Sequence, residues 1–140
     1  MSKELTIADS IQELVVTKRD QYLLKREGIM RFFSRKVNVM RTESNTQFAA
    51  YVDDEGNAAT SPARYNNGIN KKIVALFGKT KDEMNELELQ AVIAIDQDIA
   101  IAHETGVKNK LTREQIRKNA HRLCELGYEN YERKKKLLGV

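Results

Sequence analysis

Apolar residues recur at helical spacing through most of this chain, and the places where the recurrence fails divide it into parts. Ile7, Ile11, Leu14 and Val15 begin a stripe that Tyr22, Leu23, Ile29, Phe32 and Phe33 continue less regularly. Thr6, with Asp9 three residues on, resembles a capping box in which Asp stands for the usual Glu. The spacing predicts a long helix over about 6–40. Gly28 interrupts it at a cost of ~1 kcal/mol relative to Ala. Unbroken, such a helix would span roughly 50 Å, against a radius of gyration of ~14 Å for a compact chain of this length. So either it breaks near Gly28, or its stripe pairs with another copy through Ile7, Ile11, Leu14 and Val15.

The stretch 41–69 is polar and reads as an insertion. Gln47 to Val52 is short, Asp53-Asp54-Glu55-Gly56-Asn57 is a turn signal, and Ala58 to Ser61 can return, so a small β-hairpin is expected near 47–61, with a plain loop as its rival. Helical spacing resumes over 70–140. Asn70 caps a short helix, Lys71 to Phe77, closed by Gly78. Thr80 with Glu83 forms a capping box for a helix running to about Glu104 and stopping at Gly106, with Met84, Leu87, Ala91, Val92, Ile95, Ile99 and Ala102 inward. Ala91 to Ile95 is apolar all round, which predicts a central helix. Thr112 with Gln115 is a third capping box; Ile116, Ala120, Leu123 and Cys124 form an inner face, and Gly127 is the expected stop. Tyr128, Tyr131 and Leu138 then suit a last helix. The fold class expected is mainly α: one helical bundle over 1–140.

Charge changes the picture more than composition does. Lys81 to Gly106 carries one basic residue against seven acidic ones, and Val107 to Val140 ten against four, so a net charge of +4 hides an acidic middle and a basic tail. Such sorting concerns partners rather than fold. At 140 residues with 41% hydrophobic content the chain is long enough for a core. Its single cysteine, Cys124, excludes an internal disulfide and fits a reducing compartment. No apolar run approaches the ~20 residues of a membrane span, and the first residues lack a signal-peptide pattern. A cytoplasmic protein with no membrane association is expected.

Candidate chemistry is sparse. Arg31-Phe32-Phe33-Ser34-Arg35-Lys36 mixes cations with aromatics, so Arg31, Arg35 and Lys36 could hold phosphates while an aromatic stacks on a base; the alternative is that the aromatics are core. Arg113, Arg117, Lys118, Arg122, Arg133, Lys134, Lys135 and Lys136 form the stronger nucleic-acid candidate, with two i,i+4 basic rows. Its rivals are a solvated tail, or docking onto acidic surface of this or another chain. Ile73 to Leu87 has helix-turn-helix spacing, but its second helix would present Asp82, Glu83, Glu86 and Glu88 to phosphates. Asp96 and His103 share a helix face, yet no second helix completes a metal site. No nucleophile elbow, phosphate loop or dinucleotide fingerprint occurs. No catalytic residue, metal or cofactor is therefore assigned. The expected function is a small non-enzymatic nucleic-acid-binding or regulatory protein; the alternative is an inhibitor or assembly subunit that pairs its charged surfaces with a partner protein or with itself. In general style, though on no specific motif, the chain resembles accessory proteins of phages and mobile elements.

Overall fold

The computed structural model describes residues 17–56 and 61–140. It is mainly helical, with five α-helices and no strand among the described residues. They are α1 (Lys18–Glu27), α2 (Ile29–Ala49), α3 (Pro62–Phe77), α4 (Glu86–Lys108) and α5 (Arg113–Leu138), with a 3₁₀ turn at Lys81–Glu83. None is long and apolar enough to cross a membrane. Ile7, Ile11, Leu14 and Val15 lie outside the described residues.

The long first helix is broken. Gly28 has φ 85° and ψ 166°, a conformation that only glycine adopts without strain, and it ends α1 and precedes α2 in one residue. Thr17 opens α1 by accepting from the Asp20 amide.

The described residues do not support the expected hairpin, because α2 continues through residue 40 to Ala49 and absorbs its first half; residues 57–60 of the expected return lie outside the described residues. Val37, Arg41, Asn45 and Phe48 occupy one buried stripe at helical spacing. Two of the four are polar, so the stripe carries no apolar signal there. The Asp53 turn does form, with the Gly56 amide on the Asp53 carbonyl at 2.9 Å and Gly56 at φ 77°. It leads toward α3, which starts at Pro62 in a first-turn position rather than at Lys71. Gly78 ends α3 in the left-handed conformation, as its position suggested.

The Thr80–Glu83 capping box is real but opens only the 3₁₀ turn. Met84 is extended, and a second box, Asn85 with Glu88, opens α4. The helix-turn-helix spacing is therefore interrupted before its second helix. Thr112 and Gln115 cap α5 as expected.

Two glycines read as stops are contacts instead. Gly106 lies inside α4 against Ile116, and Gly127 lies inside α5 against Ile95. These pairings make α4 and α5 an antiparallel hairpin in which an isoleucine side chain of each helix lies directly on a glycine of the other. α4 packs against α2 on one side and α5 on the other, so its central position is as expected. Ile69, Ile73 and Phe77 of α3 join Val92, Ile95 and Ile99 of α4 and Ala120, Cys124 and Tyr131 of α5 in the main core.

A Cβ at position 127 would stand 2.2 Å from Ile95 Cγ1, a fully buried side chain. Gly127→Ala should therefore destabilise the fold by about 1–3 kcal/mol through overpacking. Gly68, also helical, has open space around it. Gly68→Ala should stabilise by about 0.5–1 kcal/mol. Urea unfolding of the two variants checks the opposite signs.

Candidate nucleic-acid interface

The cations of this chain fall into those that hold the fold together and those that face water. The first kind is led by Arg41 of α2, which is fully buried. Its Nη1 lies 3.1 Å from Oδ1 of Asp96 on α4, itself fully buried. The two meet as charges rather than through aligned hydrogen bonds. Nη2 donates to the Oδ1 atoms of Asn66 (2.8 Å) and Asn70 (2.6 Å) on α3. Asn45 Nδ2 also donates to Asn66 Oδ1 at 2.8 Å. Lys81 Nζ reaches Asp96 Oδ2 at 3.5 Å from the 3₁₀ turn, and burial lowers its pKa although Asp96 opposes this. One guanidinium thus ties three helices together. Arg41 falls at the start of the expected polar insertion; the available signal was its place four residues after Val37 and four before Asn45.

Asp96 and His103 are both buried on the inner face of α4, but they serve different partners. His103 stacks on Phe48, rings 4.9 Å apart and nearly parallel. Its Nδ1 is 3.0 Å from Ser44 Oγ and its Nε2 is 2.7 Å from the Tyr65 hydroxyl. Ser44 spends its one proton on the Arg41 carbonyl at 2.7 Å. Every partner is then satisfied if His103 Nδ1–H donates to Ser44 and Tyr65 donates to Nε2, which assigns the neutral tautomer. Burial first, and the Arg41 charge second, push the His103 pKa down to about 4. Burial also raises the Tyr65 phenol well above its ordinary value. Cys124 is buried and free, its thiol pushed up to about 11 mainly by burial.

Four residues of the predicted basic surface are engaged inside the chain. Arg31 donates to the carbonyls of Lys81, Asp82 and Met84 and so fastens the 3₁₀ turn to α2. Arg35 pairs with Glu27. Lys36 lies 3.0 Å from Asp20 and over the ring of fully buried Phe32. Arg113 donates to the carbonyls of Phe48 and Tyr51 and stacks on the Phe48 ring at 4.3 Å, closing the end of α2. Asp53 Oδ2 accepts from its backbone amide at 2.8 Å.

The remaining seven lie on α5. Lys118 pairs with Glu114, Arg122 with Glu125 and Glu129, and Lys135 with Glu132, mostly at the exposed surface, where such pairs contribute little and give way readily to another anion. Arg117, Arg133, Lys134 and Lys136 are exposed with no ion pair among the described residues. α5 meets α3 along a seam where Lys72 Nζ is 2.8 Å from Glu125 Oε1. His121 sits in this seam, its pKa lowered by burial, then by Lys72 and Arg117, with Glu125 opposing. Lys72 and His121 were not among the predicted binding residues; their contribution depends on how α3 is laid against α5.

Asp96→Leu strands the Arg41 charge and should cost about 3–5 kcal/mol, whereas Arg41→Met with Asp96→Leu should cost much less than the sum of those two changes made singly. A double-mutant cycle in urea measures this. For His103, both folded and unfolded chains are neutral at the ring above its ordinary 6.5. As pH falls from 6.5, the unfolded chain binds a proton that the folded chain refuses until about 4, so stability present at neutral pH is lost across that window. The loss attributable to this ring is about 3 kcal/mol. Unfolding midpoints of wild type and His103→Gln, compared across the window, should show the flatter curve for the variant.

No family model, curated protein or solved structure matches this chain.

Proposed function

We propose that this chain is a small non-enzymatic nucleic-acid-binding or regulatory protein, and that it takes nucleic-acid phosphates along the seam of α3 and α5. The observation that carries this reading is the seam itself: Lys72 of α3 reaches across to Glu125 of α5, and Arg117, Lys118 and Arg122 are exposed on that same stretch of α5, with half-buried His121 among them. Lys118 and Arg122 flank the seam on α5, and their surface pairing with carboxylates is weak enough for phosphate to displace. Arg31, Arg35, Lys36 and Arg113 drop out of the binding surface in this reading, because they lie on α2 or clasp its end rather than along the seam. Phosphate neutralisation supplies affinity without sequence readout. The acidic outer face of α4, with Glu86 and Glu104, stays away from the ligand.

The test is a fluorescence-anisotropy titration against duplex DNA, single-stranded DNA and RNA over a range of salt. For duplex DNA each lost phosphate contact flattens the slope of log K against log salt by about 0.9. Lys72→Gln and Arg117→Gln should each do so, with the fold intact by circular dichroism. A bound phosphate favours His121 in its charged form, so binding should tighten as pH falls below neutral, and His121→Gln should remove that dependence. Absence of affinity for all three nucleic acids at low salt overturns the proposal.

A further inference from the structure

The face of the α4–α5 hairpin turned away from α2 and α3 carries a second, outward apolar pattern. On α4, Leu87, Ala91, Ala94, Asp98 and Ile101 are spaced alternately by four and three residues; on α5, Leu123, Leu126, Asn130, Arg133 and Leu137 follow the same rule. This is the spacing of a coiled-coil seam; Leu87, Ala91 and Leu123 are half-buried against the edge of the core, and the other positions of the two rows are exposed. Between the two rows runs a groove of about 470 Å³. Large apolar side chains lie open along it: Leu126 is 39% exposed and Leu137 86%, with Ile101 60% exposed further along the α4 row. Small residues, Ala91, Ala94 and Gly127, line its middle and permit close approach of another helix pair.

Charge identifies the occupant. Gly127 of α5 lies against Ile95 of α4, which sets the relative level of the two antiparallel helices. At 1.5 Å per residue, Asp98 stands about 6 Å to one side of Ala94, and Arg133 about 8 Å to the other. Both line the groove, as does Lys134. A two-fold axis crossing the groove beside Ala94 therefore brings Asp98 of one copy to Arg133 and Lys134 of the other, twice over. The surface is complementary to itself, as an isologous interface requires.

We propose that two copies of this chain associate through the α4–α5 groove, forming an antiparallel four-helix interface closed by two symmetric Asp98–Arg133/Lys134 contacts. The paired helices bury the open leucines, and the charges fix the register. The phosphate seam of α3 and α5 is left free in the dimer, so the proposal stands apart from nucleic-acid binding.

The test uses the full chain, sedimentation equilibrium and a charge exchange. Wild type should be a dimer. Asp98→Lys, and separately Arg133→Glu with Lys134→Glu, put like charges together at both contacts and should each weaken the dimer at least about tenfold. Mixed in equal amounts, the two variants should form a heterodimer, because one contact is then reversed and the other native. All three changed positions are at the surface, and circular dichroism verifies the fold. A wild type that stays monomeric to roughly millimolar concentration overturns the proposal. So does a dimer untouched by both charge variants, which would place the contact on another surface. Weakened variants that do not recombine would overturn the two-fold pairing.

Discussion

The arrangement of the helices depends on one buried ion pair. Arg41 and Asp96 are both withdrawn from water, and neither charge can be left alone there without a penalty of several kcal/mol. The pair fixes the register of α2 against α4. Asn66 and Asn70, by accepting from the same guanidinium, fix that of α3. Apolar packing alone would allow these helices to slide by a turn; a buried charge that must meet Asp96 on one helix and hydrogen-bond Asn66 and Asn70 on another does not. His103 lies within the field of Arg41 and remains neutral for that reason as well as for its burial.

What could be read from the sequence follows from which physical signal each element uses. The middle of α4 and the first half of α5 were legible because they are held by aliphatic contacts and, for α5, opened by the Thr112–Gln115 cap; the true start of α4 at Asn85 and the continuation of α5 through Gly127 were not. The same reasoning failed from residue 41 to residue 69. There the inward positions of α2 and α3 are filled by Arg41, Asn45, Asn66 and Asn70, whose burial depends on mutual hydrogen bonds that no hydropathy pattern records. Glycine was ambiguous for a related reason. Gly28 and Gly78 take positive φ and end helices, whereas Gly106 and Gly127 are helical and mark close contacts. A lone letter does not tell the two uses apart without its spatial neighbour.

The charge sorting along the chain also takes on a different meaning in three dimensions. Part of the basic complement becomes internal: Arg31 and Arg113 act as clasps on backbone carbonyls, at places where the chain leaves a helix or a turn. Arginine suits that task because its planar fork donates in several directions at once. What remains outside on α5 is interleaved with glutamates, so the basic tail behaves as a set of small clusters rather than as one uniform positive band.

Cys124 gives the molecule a built-in reporter. Its thiol is buried between α3, α4 and α5, and with a pKa of about 11 it is almost wholly protonated at neutral pH. Reagents attack the thiolate and must reach it. Modification therefore waits on separation of the helices around it, and the rate at which a small thiol reagent consumes Cys124 measures how often this part of the core breathes.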